Sequence, residues 1–240
     1  MLKRSVLVGN ISPEHKQDPH PVKIGYAKNV VIVEGESDAQ LILKLINKNI
    51  TEFPDIEGNI TIDVAGSYEK LKDKLDIYPF APDFTQNMVE KVLVVADTNT
   101  MGIVRRFNEI KSIISTYPKT YIPPHALGKL GLVTTNKKRV AVYLLPNNHD
   151  SGNLETLCLK AVSDQRKLRE IDNFIDSLSR LGLIQFDRTN ISIEDKARLQ
   201  MYLATLPSPG GHVVRGLENN AFNLSSQEFT PLLNFLELVN

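Results

Sequence analysis

Four short runs rich in β-branched residues each give way at once to a stretch of helical periodicity, and this alternation limits what the chain can fold into. The runs are residues 29–33 (NVVIV), 59–65 (NITIDVA), 91–96 (KVLVVA) and 139–145 (RVAVYLL). Nearly continuous apolar runs of this length fit strands covered on both faces. A strand–helix repeat supplies the crossovers that keep successive strands parallel. The helical stretches follow at 39–46, with Ser37 as N-cap and Asp38 in the first turn, and at 68–75 after a turn at Gly66. The third carries Ile103, Val104, Phe107, Ile110 and Ile114 on one side, and the fourth covers 153–162. The pattern predicts an α/β fold of Rossmann-like type, with a mainly parallel central sheet of about four strands flanked by helices.

Beyond Asp164 the strand pattern stops. Residues 165–181 and 194–206 read as amphipathic helices, Ser208-Pro209-Gly210-Gly211 breaks the chain, and a last helix covers 227–238. At 240 residues the chain exceeds the ~150 of a typical domain, which suits a core with an appended part. The expected division is an arm or edge strand within 1–28 (strand at 5–8), an α/β core at 29–164, and a helical subdomain at 165–240 packed on that core.

Composition narrows the partners. Lys plus Arg number 28, as do Asp plus Glu, so the formal charge is zero. Without a bulk positive field, nucleic acid must be gripped locally or through bound cations. The single cysteine, Cys158, excludes an intramolecular disulfide and a cysteine-cluster zinc site. It falls on the apolar side of its helix and reads as a small buried hydrophobe. No apolar run approaches the ~18–20 residues of a membrane helix, and residues 5–11 are too short for a signal-peptide core. A soluble, cytoplasmic protein is expected. Neither G-x-G-x-x-G nor a P-loop is present.

In an open parallel sheet, ligands gather outside the carboxyl ends of the strands. Glu34 follows the first run, with Asp38 four residues on. Asp97 follows the third, with Asn99 two residues on, and Glu155 opens the helix after the fourth. Each alone is an ordinary helix-start or turn acid. Together they form an all-oxygen set suited to Mg²⁺ or Mn²⁺. Two such ions ~3.5–4 Å apart would activate water against a phosphodiester, and bound cations would let a neutral protein accept a phosphate.

Glu34-Gly35-x-x-Asp38 after an apolar strand, then Asp97-x-Asn99-x-x-Gly102 after a later one, is similar to the Toprim domain. That domain is the catalytic core of topoisomerases, bacterial primases, RecR-type recombination proteins and OLD-family nucleases. Gly152-Asn153-Leu154-Glu155 looks like the G-x-L-E element of the OLD-type branch. With Asp195-Lys196-Ala197 and the break at 207–211, the layout most resembles small standalone Toprim-like bacterial proteins. The resemblance covers roughly residues 30–159. It implies divalent-metal-dependent phosphodiester chemistry on nucleic acid, with Glu34, Asp38, Asp97, Asn99 and Glu155 holding Mg²⁺ or Mn²⁺. Glu34 doubles as metal ligand or general acid/base, Lys196 stabilises developing phosphate charge, and Gly35, Gly102 and Gly152 shape the loops.

One departure matters. Asn99 stands where the motif has its second aspartate, which removes a negative charge and weakens a second metal. The alternative is therefore a catalytically degenerate module that binds a nucleotide, a nucleic-acid end or a protein partner in repair or phage defence.

Arg105 and Arg106, directly after the second motif, are candidate phosphate contacts. Lys129, Lys137, Lys138 and Arg139 surround an expected hairpin tip at 131–136, a patch that would track a backbone but lacks aromatic residues for stacking. His149-Asp150 reads as a solvated turn, and His20, His125 and His212 as surface loops. A receiver-type fold would need a lysine after its last strand, where this chain has Pro146-Asn147. The sequence leaves open the substrate (DNA, RNA or nucleotide), homo-oligomerisation and any protein partner.

Overall fold

The computed structural model describes residues 7–9, 29–49, 60–77, 89–114, 132–134, 139–186 and 191–237. In chain order the strands are β1 (Leu7–Gly9), β2 (Asn29–Val33), β3 (Ile60–Val64), β4 (Lys91–Asp97), β5 (Leu132–Thr134) and β6 (Arg139–Leu145). The helices are α1 (Glu36–Lys48), α2 (Tyr68–Ile77), α3 (Ile103–Ile114), α4 (Leu154–Lys160), α5 (Gln165–Arg180), α6 (Ile191–Ala204), α7 (Val213–Glu218) and α8 (Thr230–Leu236). The sheet order is β1-β3-β2-β4-β6-β5, parallel throughout except for β5. The four expected central strands are all present, and β1 pairs with β3 as the expected edge strand. Strand β5 pairs antiparallel with β6, Thr134 opposite Arg139, so 132–134 of the expected hairpin tip are strand, and 131, 135 and 136 lie outside the described residues. Lys129, Lys137, Lys138, His20, His125 and the Arg139 side chain lie outside the described residues.

Alternation along the strands fills both faces of the sheet. Val31, Val33, Leu93, Val95, Ala141, Tyr143 and Leu145 turn one way, into a cluster with α1, α4 and the C-terminal helices. Val30, Ile32, Val92, Val94, Val140, Val142 and Leu144 turn the other way, against Leu71 and Leu75 of α2 and Ile110 and Ile114 of α3. Double coverage is why the runs are apolar without a break. The helical C-terminal third belongs to the first cluster through Leu199, Tyr202, Leu217 and Phe229, and the Phe235 ring lies 5.3 Å from that of Tyr143. Among the described residues, no helix is long and apolar enough to cross a membrane.

Several local expectations are corrected. The N-cap of α1 is Gly35, not Ser37, because Asp38 at the third helical position accepts the Gly35 amide. On α3 the buried stripe is Arg106, Ile110 and Ile114, whereas Val104 is 74% exposed. The last helix divides into a 3-10 turn, Gln227–Phe229, and α8, which has a proline in its first turn. Helix α7 has no strong signal in the sequence because Gly216 sits inside it. A Cβ at Gly216 would come within 2.5 Å of the Phe222 ring, so close packing requires the glycine.

The parallel order has a functional consequence. From β2 the chain crosses to β3 on one side, then returns to β4 on the other. The carboxyl ends of β2 and β4 therefore flank the point where the crossovers diverge, which is where open α/β sheets form their ligand crevice.

Candidate functional site

Glu34 leaves β2 and Asp97 closes β4, and the two neighbouring strands pair Val33 with Val95. The Asp97 amide donates to Glu34 Oε1 at 2.8 Å, so one carboxylate bridges the two strand ends. The Gly35 amide donates to Asp38 Oδ2 at 2.8 Å. Asp97 Oδ1 in turn accepts the Leu154 amide at 3.0 Å, which holds the start of α4 against β4.

A hydroxyl that sequence reasoning missed joins the two loops. Thr98, fully buried, accepts the Gly152 amide at 2.7 Å, and its Oγ1 lies 2.9 Å from the Gly152 carbonyl and 3.0 Å from that of Leu145. The Asn99 amide also donates to the Gly152 carbonyl, at 2.7 Å. Gly152 has φ +152°, and a Cβ there would meet Thr156 Oγ1 at 2.6 Å, so both backbone and space demand glycine. Asn99 sits at φ 46°, a left-handed conformation that Asn tolerates well. Gly102, the other expected loop glycine of this turn, also has positive φ.

These links bring Glu155 into the field of the other three acids. Burial pushes the Asp38 carboxyl up to about 7, and the charges of Glu34 and Glu155 push the same way against the Gly35 amide. Burial also raises Asp97 well above the ordinary range, reinforced by Asp38, Glu34 and Glu155. Glu34 is raised by burial, and the Asp97 amide, Arg106 and Lys196 oppose that shift. Asp38 Oδ1 is buried and has no hydrogen-bond partner. An ionised oxygen in such a place is costly unless a cation meets it.

The expected phosphate contacts are not delivered as a pair. Arg105 projects into solvent, 3.7 Å from Glu109. Arg106 is only 4% exposed, its guanidinium 3.4 Å above the Tyr68 ring and 3.6 Å from Glu109. Nε and Nη1 of Arg106 have no hydrogen-bond partner. A buried arginine cannot grip a solvent-borne phosphate; it is an interior countercharge to Glu34. The helical phase shared with Ile110 and Ile114 was the signal for this.

Lys196 reaches the site from α6. It lines a cleft of about 230 Å³ with Ser37, Glu155, Leu199, Gln200, Gly211 and His212. Its buried neighbour Asp195 accepts Thr156 Oγ1 at 2.6 Å and contacts Arg198 at 3.3 Å. Arg198 grips Asp172 of α5 with both Nε and Nη2, at 2.8 and 2.9 Å. This network locks α6 against α4, where Asn153 caps the helix by accepting the Thr156 amide. The spacing of Asn153 and Thr156 was the available sequence signal. His149 and Asp150 lie apart, in an exposed turn organised by Asn147, and Cys158 is buried as expected.

The donor set suits a hard divalent cation: its acids offer oxygen only, and Asp38 holds a buried oxygen without a partner. Among the described residues, no three carboxylate, imidazole or thiol groups already converge into a metal cage. Mg²⁺ usually keeps several waters and takes only one or two carboxylates directly.

A family model described as "Protein of unknown function (DUF3226)" matches residues 28–239, spanning the α/β core and the helical third together. The chain belongs to the DUF3226 family. No curated protein and no solved structure matches it. Within this DUF3226 chain, Glu34, Asp38, Asp97, Glu155 and Lys196 all fall inside the matched span.

Proposed function

We propose that this DUF3226 chain is a divalent-cation-dependent nuclease or phosphodiesterase of Toprim type. The observation that carries the reading is the buried, unpartnered Asp38 Oδ1 among four mutually repelling carboxyls at the divergence of the crossovers. Bound Mg²⁺ or Mn²⁺ would neutralise these acids and the substrate phosphate and make water a stronger nucleophile.

Asp38, Asp97 and Glu155 are the oxygens that would hold the ion, directly or through its waters, with Asn99 as a neutral addition. Glu34, one oxygen fixed by the Asp97 amide and its affinity for a proton raised, is suited to protonate the leaving oxygen. In hydrolysis the water oxygen adds to phosphorus and sheds its proton. The ester P–O bond breaks and the leaving oxygen takes up a proton, so one water is consumed. Lys196, which acts on Glu34 through its charge, would stabilise negative charge developing on the phosphate. The reading includes a cytoplasmic location and a nucleic-acid substrate, gripped locally because the net charge is zero.

Calorimetric titration with Mg²⁺ and Mn²⁺, beside a cleavage screen on single-stranded, duplex and nicked DNA and RNA, tests it. Metal binding lost in Asp97→Ala and cleavage lost in Glu34→Ala are expected. A second reading, a non-catalytic binding module, is favoured by Asn99, a neutral side chain beside Asp97 that adds no charge to hold a cation. Absence of metal binding at millimolar concentration in the wild type would select it.

A further inference from the structure

The cleft beside Glu155 is chemically unlike the acid group it adjoins. Ser37, Gln200, Lys196 and His212 line it, and none of these four side chains makes a hydrogen bond or ion pair within the described residues. The polar residues just behind, Asn153, Thr156, Asp195 and Arg198, are all engaged with one another or with α5. The cleft wall thus carries one ammonium, one imidazole and two neutral hydrogen-bonding groups, with the Glu155 carboxylate on the side of the acids. At about 230 Å³ it is smaller than the ~300–1,000 Å³ of pockets for drug-sized ligands. That is room for a phosphate and its sugar, not for a duplex.

We propose that this cleft binds the terminal phosphomonoester of a nucleic-acid strand, with His212 on that phosphate, Lys196 between it and the phosphate under attack, and Gln200 and Ser37 on the attached sugar. The inference rests on the nuclease reading and narrows its substrate to strand ends. Positive charge on the α6 side and cation-bound acids on the other would seat a dianionic phosphate one nucleotide from the bond to be cut. Gly211 forms part of the lining, and a Cβ there would meet nothing within 4 Å. A larger residue at that position has open space around its Cβ at the border of the cleft.

The test is calorimetric titration of the full chain with 5′-phosphorylated, 3′-phosphorylated and unphosphorylated thymidine dinucleotides, each in Mg²⁺ and in EDTA. One phosphorylated probe is expected to bind about tenfold more tightly than the unphosphorylated one, the size of a charge-assisted contact. Which probe it is reports the strand polarity. His212→Ala and Gly211→Leu should each remove most of that preference while Mg²⁺ titration of the free protein stays unchanged. Equal binding of all three probes, or a preference that survives both substitutions, overturns the proposal. Failure of Mg²⁺ to bind defeats the nuclease reading instead. The EDTA series then decides the cleft alone: a phosphate preference there upholds it and its absence rejects it.

Discussion

Glu34 and Asp97 stand 63 positions apart in the chain, yet the Asp97 amide donates a 2.8 Å hydrogen bond to the Glu34 carboxylate. A carboxylate that accepts an amide on one oxygen and repels three other acids is held in place by the backbone, at some cost in free energy. Glutamine can keep the hydrogen bond and remove the charge. Glu34→Gln should therefore melt at or above the wild-type temperature while losing on the order of 100-fold or more in metal-dependent cleavage. Scanning calorimetry and a cleavage assay read the two effects, and a destabilised Glu34→Gln would contradict the geometry.

The pH dependence follows from Asp38. Its carboxyl ionises near the ordinary 3.8 in the unfolded chain and at about 7 in the folded one. Between these values the folded state binds more protons, so its stability falls as pH rises and levels off above about 7. Asp97 and Glu34, also raised, add in the same direction. Melting temperature in EDTA should drop from about pH 5 to about pH 8, and Mg²⁺ should stabilise more at the higher pH, because ligand carboxyls must lose their protons. Asp38→Asn should flatten the slope. A slope that rises with pH, or is unaffected by that substitution, is the contrary result.

Arg106 lowers the proton affinity of Glu34 from beneath the site. Replacing it with methionine keeps much of the apolar stem and removes the charge. Carbon NMR of the Glu34 carboxyl in Arg106→Met should show titration at higher pH than in the wild type, with the alkaline limb of any cleavage profile, where Glu34 loses its proton, moved the same way. An unchanged titration would mean that the guanidinium serves only its stack on Tyr68.

The loop staple depends on one hydroxyl. Thr98→Val preserves shape but leaves the Gly152 amide without its 2.7 Å partner, at a cost of about 1–3 kcal/mol. Since Gly152 leads into Glu155, metal affinity should fall as well. Chemical denaturation and a Mg²⁺ titration check both, and wild-type values in each would show that the Asn99–Gly152 bond suffices.

The strands were legible because double coverage leaves no polar interruption, and residues 29–33 and 139–145 match β2 and β6 at both ends. The acids were legible as strand-end residues for the same reason. The devices that gather them were not. Thr98 and Asp195 act through single contacts that leave no periodic trace. Arg105 and Arg106 are adjacent and chemically alike, and only helical phase, 106 with 110 and 114, separates the exposed one from the buried one. The start of α1 was misplaced because a glycine N-cap works through the Asp38 carboxylate rather than a side chain of its own.

One apolar cluster runs from β2 and β4 through α1 and α4 to Phe235 of the final helix. The acid-bearing and lysine-bearing halves are thus not interchangeable cassettes. A chimera spliced near Asp164 between relatives would have to reconcile two sets of interior side chains across a seam as dense as a single core. Swapping the helical third to alter specificity demands redesign of that seam.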